Sequence, residues 1–265
     1  MARKNIWDLL ENQEIDLPNE YISLWDLFHQ KEIIQDQFGY PTTFEDAVSS
    51  TFLYFKNRGS YTSYKDLLLA LEVGYRGYET KLEDLDLLIE LILLMISELD
   101  DVGVRYKYAE GKSFILNNIL AILKKTNQKV ITLEGKGEIV VPDDEAVTIV
   151  ADLILPDDEK LALEVLGYSH FSNKDNLEEK RKILHRLANY LEPKFNISKS
   201  DEIKFVLNNY YIRHGNEKNK ENITKLGDEK TAELYDKLYR DILYYILEQE
   251  HNEFKVLIKE LKRDL

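Results

Sequence analysis

The sequence predicts a mainly α-helical protein in which two helical regions flank one short β-hairpin. Two observations favour this fold class. Apolar residues recur at three- and four-residue spacing through most of the chain, and β-branched residues are concentrated around residues 129–142. We therefore expect an N-terminal helical domain over residues 1–126, a β-hairpin connector over 127–143 and a C-terminal helical bundle over 144–265.

The first two helices of the N-terminal domain are predicted from their start and stop residues. Pro18 begins a segment whose apolar residues favour one side of a helix, and Gly39 ends it. Thr42 stands three residues before Glu45, which is the spacing of an N-terminal capping box. A second helix is therefore expected from this box to Gly59.

Three further helices complete the N-terminal domain. A short helix is expected to stop at Gly74, because glycine commonly ends helices in the left-handed conformation. The apolar segments near 82–99 and 113–125 predict two longer helices. The most apolar run, residues 87–96, contains Glu90 and is too short to cross a bilayer, so we expect a buried helix and no membrane partner.

A hairpin is predicted where the helix-period segments give way to a stretch rich in β-branched residues. In "QKVITLEGKGEIVVPDD" the β-branched residues flank Gly135-Lys136-Gly137, which is a three-residue turn signature. This stretch is the best boundary between the two helical domains.

The C-terminal region reads as four or five helices. Acidic residues precede its first two segments and suit helix N-termini, although Val147–Leu155 also fits a strand. A helix with leucines at helical spacing is expected to stop before Pro193, and a shorter helix follows. A polar loop is predicted over 213–227, before a last segment that is one very long helix or two with a bend.

The composition restricts the chemistry. There is no cysteine, which excludes disulfides, thiolate zinc sites and a cysteine nucleophile. The first residues, "MARKNIWDLLENQ", are amphipathic and acidic, unlike a secretion signal, so we expect a cytoplasmic protein. The formal net charge of −14 disfavours non-specific binding of nucleic acid unless a basic patch exists locally.

Residues 174–225 form such a local exception. They contain twelve Lys or Arg and eight Asp or Glu, a local charge of +4 in an acidic chain. If these segments meet in the fold, they would face an anion such as an RNA strand. The alternative is a solvated helix surface with pairs such as Glu178 and Lys182. The candidate nucleic-acid-binding residues are Arg181, Lys182, His185, Arg186, Lys218 and Lys220.

The stretch "NNYYIRHGNEKN" carries the strongest chemical signal. His214 can take up and return a proton near neutral pH, and the permanent charge of Arg213 can stabilise a developing oxyanion at phosphorus. Gly215 would permit an unusual backbone angle, and Asn216 could orient the histidine or cap the turn. The structural alternative is that Arg213 and His214 hold the carbonyl groups at the end of the preceding helix.

"LNNYYIRHGNEKN" lies between the helix "EEKRKILHRLANYLE" and a long terminal helix rich in Tyr and Leu. In this arrangement, residues 144–250 resemble the C-terminal domain of abortive-infection phage-resistance proteins of the HEPN superfamily. The resemblance implies a HEPN-like helical bundle that dimerises and cuts RNA without a metal, leaving a 2′,3′-cyclic phosphate. It implies that Arg213 stabilises the transition state and that His214 is the general base, with Asn216 beside them.

One departure from the superfamily pattern leaves two alternatives open. The superfamily separates its Arg and His by about four to six residues, whereas His214 follows Arg213 directly and the next histidine is His251. Either this chain uses a compact motif that includes Asn216, or the domain has kept the fold and lost catalysis. The N-terminal half suits a helical sensor or regulatory domain.

Two functions therefore remain in competition. The first is an anti-phage defence protein of abortive-infection type that acts as a dimeric, cofactor-free RNase. The second is a catalytically inactive RNA- or protein-binding module, an inhibitor or scaffold, whose acidity suits a basic protein partner. No metal site is expected, because the acidic clusters stand at predicted helix ends, where acidic residues serve the helix dipole or solvation.

Overall fold

The fold is described from a computed structural model. Its described residues form eleven α-helices and two small antiparallel hairpins, which confirms the predicted mainly α fold class. The amphipathic N-terminal segment and Lys136 of the hairpin turn lie outside the described residues. The structure describes residues 15–75, 79–103, 107–135, 137–194 and 201–263.

The chain divides into two compact units, Met1–Val130 and Ile131–Leu265. The apolar faces of the first unit's helices meet in one core, which includes the fully buried side chains of Phe28, Phe44 and Leu88. The elements of this unit are α1 (Leu17–His29), β1 (Ile34–Gln35), β2 (Pro41–Thr42), α2 (Phe44–Thr51), α3 (Tyr64–Ala70), α4 (Leu82–Val102) and α5 (Ala109–Thr126).

The first predicted helix is shorter than expected. It ends at His29, and the backbone N–H groups of Gln30 and Lys31 both donate to the carbonyl oxygen of Asp26. Residues that we assigned to its end form instead the β1–β2 hairpin, in which Ile34 pairs with Thr42. Two adjacent apolar residues fit the start of a buried strand as well as they fit a helix, which explains the error.

Two helix signals in this unit were also misplaced. The capping box of α2 is formed by Thr43 and Asp46, one residue after the predicted pair. The short helix α3 ends at Ala70, and the left-handed residue after it is Glu72, with φ of +54°, and not Gly74.

The second unit is a helical bundle beside the hairpin. Strands β3 (Gln128–Leu133) and β4 (Gly137–Pro142) pair through the predicted glycine turn, where Gly135 and Gly137 both have positive φ. The ambiguous stretch after the hairpin is helical, and the last segment is one unbroken helix. The helices are α6 (Glu145–Ile154), α7 (Glu159–Leu166), α8 (Leu177–Lys194), α9 (Asp201–Asn209), α10 (Glu217–Leu226) and α11 (Asp228–Arg263).

The polar loop predicted over 213–227 was wrong over most of its length, because α10 occupies Glu217–Leu226. Asn216 caps this helix by accepting a hydrogen bond from the backbone N–H of Asn219. Because asparagine has a weak helix propensity, its repetition in this segment resembled a loop in the sequence. Pro193 also lies inside the last turn of α8 instead of following it.

In the part of the chain that the structure describes, no helix combines the length and the apolar character needed to cross a membrane.

Candidate functional site

The candidate site is the loop of residues 210–216, between α9 and α10. The buried side chain of Asn219 holds this loop closed, because its amide donates to the carbonyl oxygens of Asn208 at 2.7 Å and His214 at 2.9 Å. Asn222 adds a hydrogen bond to the carbonyl of Asn209 at 3.0 Å. The repeated asparagines of this segment therefore fix the shape of the loop.

Tyr211 is the conformationally unusual residue of the loop. Its φ is +61°, a region that side-chain-bearing residues rarely adopt, whereas Gly215 does not have a left-handed φ as we had expected. The Arg181 guanidinium lies 5.1 Å from the centre of the Tyr211 ring, and the Lys220 ammonium lies 5.8 Å from it. These distances place two candidate RNA-binding cations around one aromatic ring.

Gly215 is close to the same ring. A Cβ atom at Gly215 would lie 3.4 Å from Cε2 of Tyr211, which is ordinary van der Waals contact. The structure thus brings together residues from α8, the loop and α10. We call Arg181, Tyr211, Gly215 and Lys220 the Tyr211 cluster.

Arg213 is largely enclosed beside the same loop. Its side chain is 12% exposed, with Nη1 3.2 Å from the Glu192 carboxylate and Nη2 3.3 Å from the carbonyl oxygen of Ala188. Its Nε is buried without a hydrogen-bond partner. The guanidinium of Arg213 therefore binds the end of α8, with two of its three nitrogens engaged, while the backbone N–H of Arg213 donates to the carbonyl of Leu207 in the preceding helix at 3.1 Å.

His214 and Asn216 differ from Arg213 in exposure. The side chain of His214 is exposed to solvent, while its backbone carbonyl is held by Asn219. Asn216 is also exposed, and its Oδ1 accepts the backbone N–H of Asn219 as the cap of α10. His214 is thus accessible to a ligand, and Asn216 serves as a helix cap.

His185 of α8 contacts the backbone of the loop. Its Nδ1 lies 3.1 Å from the carbonyl oxygen of Ile212, and its Nε2 lies 3.1 Å from Nδ2 of Asn189. Since the imidazole is half-buried and engaged through both nitrogens, it connects α8 to the loop.

The remaining candidate residues point elsewhere. Arg186 forms ion pairs with Asp158, at 3.0 Å, and with Glu164, both outside the loop. Lys182 is exposed and lies 3.5 Å from the carboxylate of Glu179. Lys218 is exposed on α10. Of the six predicted RNA-binding residues, Arg181 and Lys220 lie against the ring of Tyr211, and His185 contacts the loop.

The positive charges of the site are balanced by neighbouring carboxylates. Arg181 pairs with Glu178 at 2.6 Å, and Lys220 lies 3.4 Å from Glu217. Hydrogen bonding to the Glu178 carboxylate raises the pKa of Arg181. Because these acidic partners are exposed, the pairs are weak, and a phosphate group could exchange with them at small cost.

The acidic clusters have structural roles. Asp144 and Asp158 accept backbone N–H groups at the starts of α6 and α7, and Asp100 pairs with Lys112 at 2.5 Å. Among the residues that the structure describes, no group of three or more His, Asp or Glu side chains could hold a metal ion.

A second polar cluster, which sequence reasoning missed, lies within the bundle. The buried Lys180 ammonium contacts both carboxylate oxygens of Asp236, at 2.8 and 3.0 Å, and Tyr168 donates to the same carboxylate at 3.1 Å. Tyr168 also stacks on Tyr239, with ring centres 3.9 Å apart. Burial, with Asp236 nearby, raises the pKa of Tyr168. This ion pair joins α8 to α11.

Sequence reasoning also missed Tyr211 and Asn219 in the loop itself. The sequence offered one signal for Asn219. It stands three residues after Asn216, at the position whose backbone N–H donates to the side chain of a helix-capping residue. Nothing in the sequence indicated Tyr211, because its positive φ depends on its neighbours and not on its residue type.

No protein-family model, curated protein or solved structure matches this chain.

Proposed function

We propose that the C-terminal unit binds single-stranded RNA at the Tyr211 cluster and cleaves it without a metal, in a defence role of abortive-infection type. The observation that carries this proposal is the gathering of Arg181 and Lys220 around Tyr211, next to the exposed His214. Cations interleaved with an aromatic ring suit a phosphate backbone and its bases. The resemblance to abortive-infection proteins supports the same function and a cytoplasmic, dimeric protein.

The proposed chemistry needs only side chains of the loop. The imidazole of His214 takes the proton from a ribose 2′-hydroxyl, and the 2′-oxygen then attacks the adjacent phosphorus. The bond from phosphorus to the 5′-oxygen breaks, and that oxygen takes up a proton from water. The products are a 2′,3′-cyclic phosphate and a 5′-hydroxyl end.

Arg213 would stabilise the negative charge that develops on the phosphoryl oxygens. It can do so only if Nη1 exchanges its Glu192 partner for the phosphate. Glu192 is 65% exposed, so water can solvate its carboxylate after this exchange.

RNA binding is tested by fluorescence anisotropy with a labelled single-stranded RNA at several salt concentrations. We expect Tyr211→Ala and the double variant Arg181→Ala/Lys220→Ala each to weaken binding roughly tenfold or more, through lost stacking and lost phosphate contacts. Lys204→Ala, which removes an exposed lysine of α9 outside the cluster, is the matched control and should bind as the wild type does. Equal affinity of all variants would exclude the Tyr211 cluster as the binding site.

Cleavage is tested on total cellular RNA with a chelator present. Wild type is expected to produce 2′,3′-cyclic phosphate ends, and both Arg213→Ala and His214→Ala are expected to lose the activity, while Lys204→Ala retains it. If His214→Ala cuts as fast as wild type, the proposed general base is wrong.

A second function is favoured by the engagement of Arg213. Because Glu192 and the Ala188 carbonyl already hold its guanidinium, the domain also suits a catalytically inactive module that binds RNA or a basic protein. RNA that binds with the variant pattern above but stays intact would support this function.

A further inference from the structure

A cleft in the C-terminal unit lies between the end of β3, helix α7 and the first two turns of α8. Its described lining residues include no member of the Tyr211 cluster. The cleft has a volume of about 220 Å³. Pockets for drug-sized ligands span roughly 300–1,000 Å³, so this cleft has room for a smaller organic molecule and not for a folded segment.

Part of the lining of the cleft is apolar. Leu133 belongs to the buried cluster of the hairpin, and Leu163 packs against that cluster. Ile183 of α8 belongs to the core of the bundle and is 3% exposed. These three side chains offer an occupant a hydrocarbon surface, which is the common lining of a small-molecule site.

The charged part of the lining is mostly acidic. Three glutamates contribute to it: Glu134 after β3, Glu164 in the last turn of α7 and Glu179 in the first turn of α8. Among the described lining residues, Lys160 is the one cation. Three negative charges and one positive charge give a net charge of −2. Because the side chain of Lys160 is exposed, solvent and salt screen its ammonium.

Two of these carboxylates can accept a further hydrogen bond. Oε1 of Glu164 pairs with Nη1 of Arg186, whereas Oε2 is buried and no described residue donates to it. The terminal torsion of glutamate is soft, so a small rotation would bring Oε2 to a donor inside the cleft. Such a donor would relieve the unfavourable burial of an unpaired acceptor. Glu179 lies 3.5 Å from the ammonium of the exposed Lys182, a weak pair that a ligand cation could replace.

We propose that this cleft binds a small aliphatic polyamine. Among the residues that the structure describes, no three acidic or histidine side chains come close enough to hold one metal ion, so the glutamates suit several separate ammonium groups. The methylene segments between those ammonium groups would lie on Leu133, Leu163 and Ile183, as the stem of a lysine lies on apolar surface. The net charge of −14 also raises the local concentration of cations around the chain. This site does not depend on RNA binding or cleavage.

Isothermal titration calorimetry of spermidine into the full chain, without RNA, tests the site. We expect one molecule to bind per chain with a dissociation constant on the order of 0.1 mM, and more weakly at high salt. Octanediol with a hydroxyl at each end has a similar length and no charge, so it should not bind detectably. If the diol binds as tightly as spermidine, the cleft selects hydrocarbon alone and the polyamine assignment is wrong.

Glutamine variants test the carboxylates. Glu164→Gln and Glu179→Gln should each weaken spermidine binding roughly tenfold, because each removes the counter-charge of one ammonium group. Glu164→Gln also alters the pair with Arg186, whereas the side chain of Glu179 is 28% exposed and its replacement leaves the fold intact. Glu229→Gln removes an exposed carboxylate of α11 outside the cleft and is the matched control, which should bind as the wild type does. Unchanged affinity in both cleft variants, or an equal loss in the control, would show attraction by net charge alone and overturn the proposal.

Methyl NMR on isoleucine-labelled protein locates the bound spermidine. The δ1 methyl resonance of Ile183 should shift with the same midpoint as the calorimetric titration, while that of Ile115, in the core of the N-terminal unit, should not move. Spermidine that binds without moving Ile183, or that does not bind by either method, would overturn the site. Because RNA is absent and the Tyr211 cluster is unchanged, none of these results bears on the proposed RNA binding.

Discussion

The side-chain amide of Asn219 donates a hydrogen bond to the backbone carbonyl of His214 at 2.9 Å, and through it the first turn of α10 determines where the loop runs. The same amide donates to Asn208 at the end of α9. One buried side chain therefore fixes both ends of the segment that carries Tyr211 and Arg213.

We predict that Asn219→Ala destabilises the C-terminal unit by about 1–3 kcal/mol, because two backbone carbonyls lose their partner and one of them is partly buried. Chemical denaturation measures the change. Hydrogen exchange should also become faster at the amide of Arg213, which bonds to the carbonyl of Leu207 in α9. Lys218→Ala, an exposed change in the same helix, is the control. Unchanged stability and exchange in Asn219→Ala would contradict the structural role.

The buried ion pair between α8 and α11 predicts that the loss of Asp236 and the loss of Lys180 lower the free energy of unfolding by different amounts. The side chain of Lys180 is 5% exposed, and that of Asp236 is 38% exposed. Asp236→Ala leaves a buried ammonium without a counter-charge and should cost about 3–5 kcal/mol, as breaking buried pairs does. Lys180→Met should cost less, since water can reach the remaining carboxylate and the methionine fills the space.

The unfolding free energies of the two single variants and of the double variant check this asymmetry. The double variant should be more stable than Asp236→Ala alone, because it contains no unpaired buried charge. Equal costs for the two single variants would show that the burial of Lys180 does not determine the energy of the pair.

The helical fold was predictable because its signals are local. Each of these signals involves residues that are close together in the sequence. This holds for the glycine turn of the β3–β4 hairpin and for the apolar periodicity of α4 and of α11. The β1–β2 hairpin could not be predicted, since two-residue strands leave no alternation to detect.

The candidate site was predictable only in part. The sequence indicated Arg213, His214 and Asn216 as a polar group between helices, and the loop does contain them. The contact of Arg213 with Glu192 joins residues 21 positions apart, and that of Tyr211 with Arg181 joins residues further apart still. Such pairs depend on how α8 packs beside the loop, which single-sequence patterns do not encode.

A buried histidine predicts how the stability of the N-terminal unit depends on pH. His29 stacks on Trp25 with ring centres 3.6 Å apart, and its nitrogens contact the Trp25 carbonyl and the Tyr64 hydroxyl, both at 3.0 Å. Burial lowers the pKa of His29 to about 4, while hydrogen bonding to Trp25 opposes the shift. The unfolded chain, with a pKa near 6.5, therefore binds more protons between these values.

The sign follows directly: the stabilising contribution of neutral His29 is complete above pH 6.5 and is lost as the pH falls towards 4. We expect a loss of about 2 kcal/mol between pH 7.5 and pH 5 from this residue. Denaturant unfolding followed by Trp25 fluorescence in a Trp7→Phe background measures it. His29→Phe should remove most of this dependence, and an unchanged pH profile in that variant would assign it to other groups.

Gly111 in the first turn of α5 is predicted to resist replacement by alanine, although alanine is the better helix former. A Cβ atom at Gly111 would lie 2.6 Å from the carbonyl oxygen of Ile33 and 2.7 Å from Cγ2 of Ile34. Backbone atoms of the segment entering β1 cannot move aside as a flexible side chain can. The expected steric cost of about 1–3 kcal/mol exceeds the gain of up to about 1 kcal/mol in helix propensity.

The control for this substitution is Gly74→Ala in the same unit, where nothing lies within 4 Å of the new Cβ and φ is not left-handed. Thermal or chemical unfolding should show Gly111→Ala clearly destabilised and Gly74→Ala within about 0.5 kcal/mol of wild type. If Gly111→Ala were as stable as the control, the close approach of α5 to the β1–β2 hairpin would be looser than the structure has it. The close approach would then not be what positions this hairpin against the helical core of the unit.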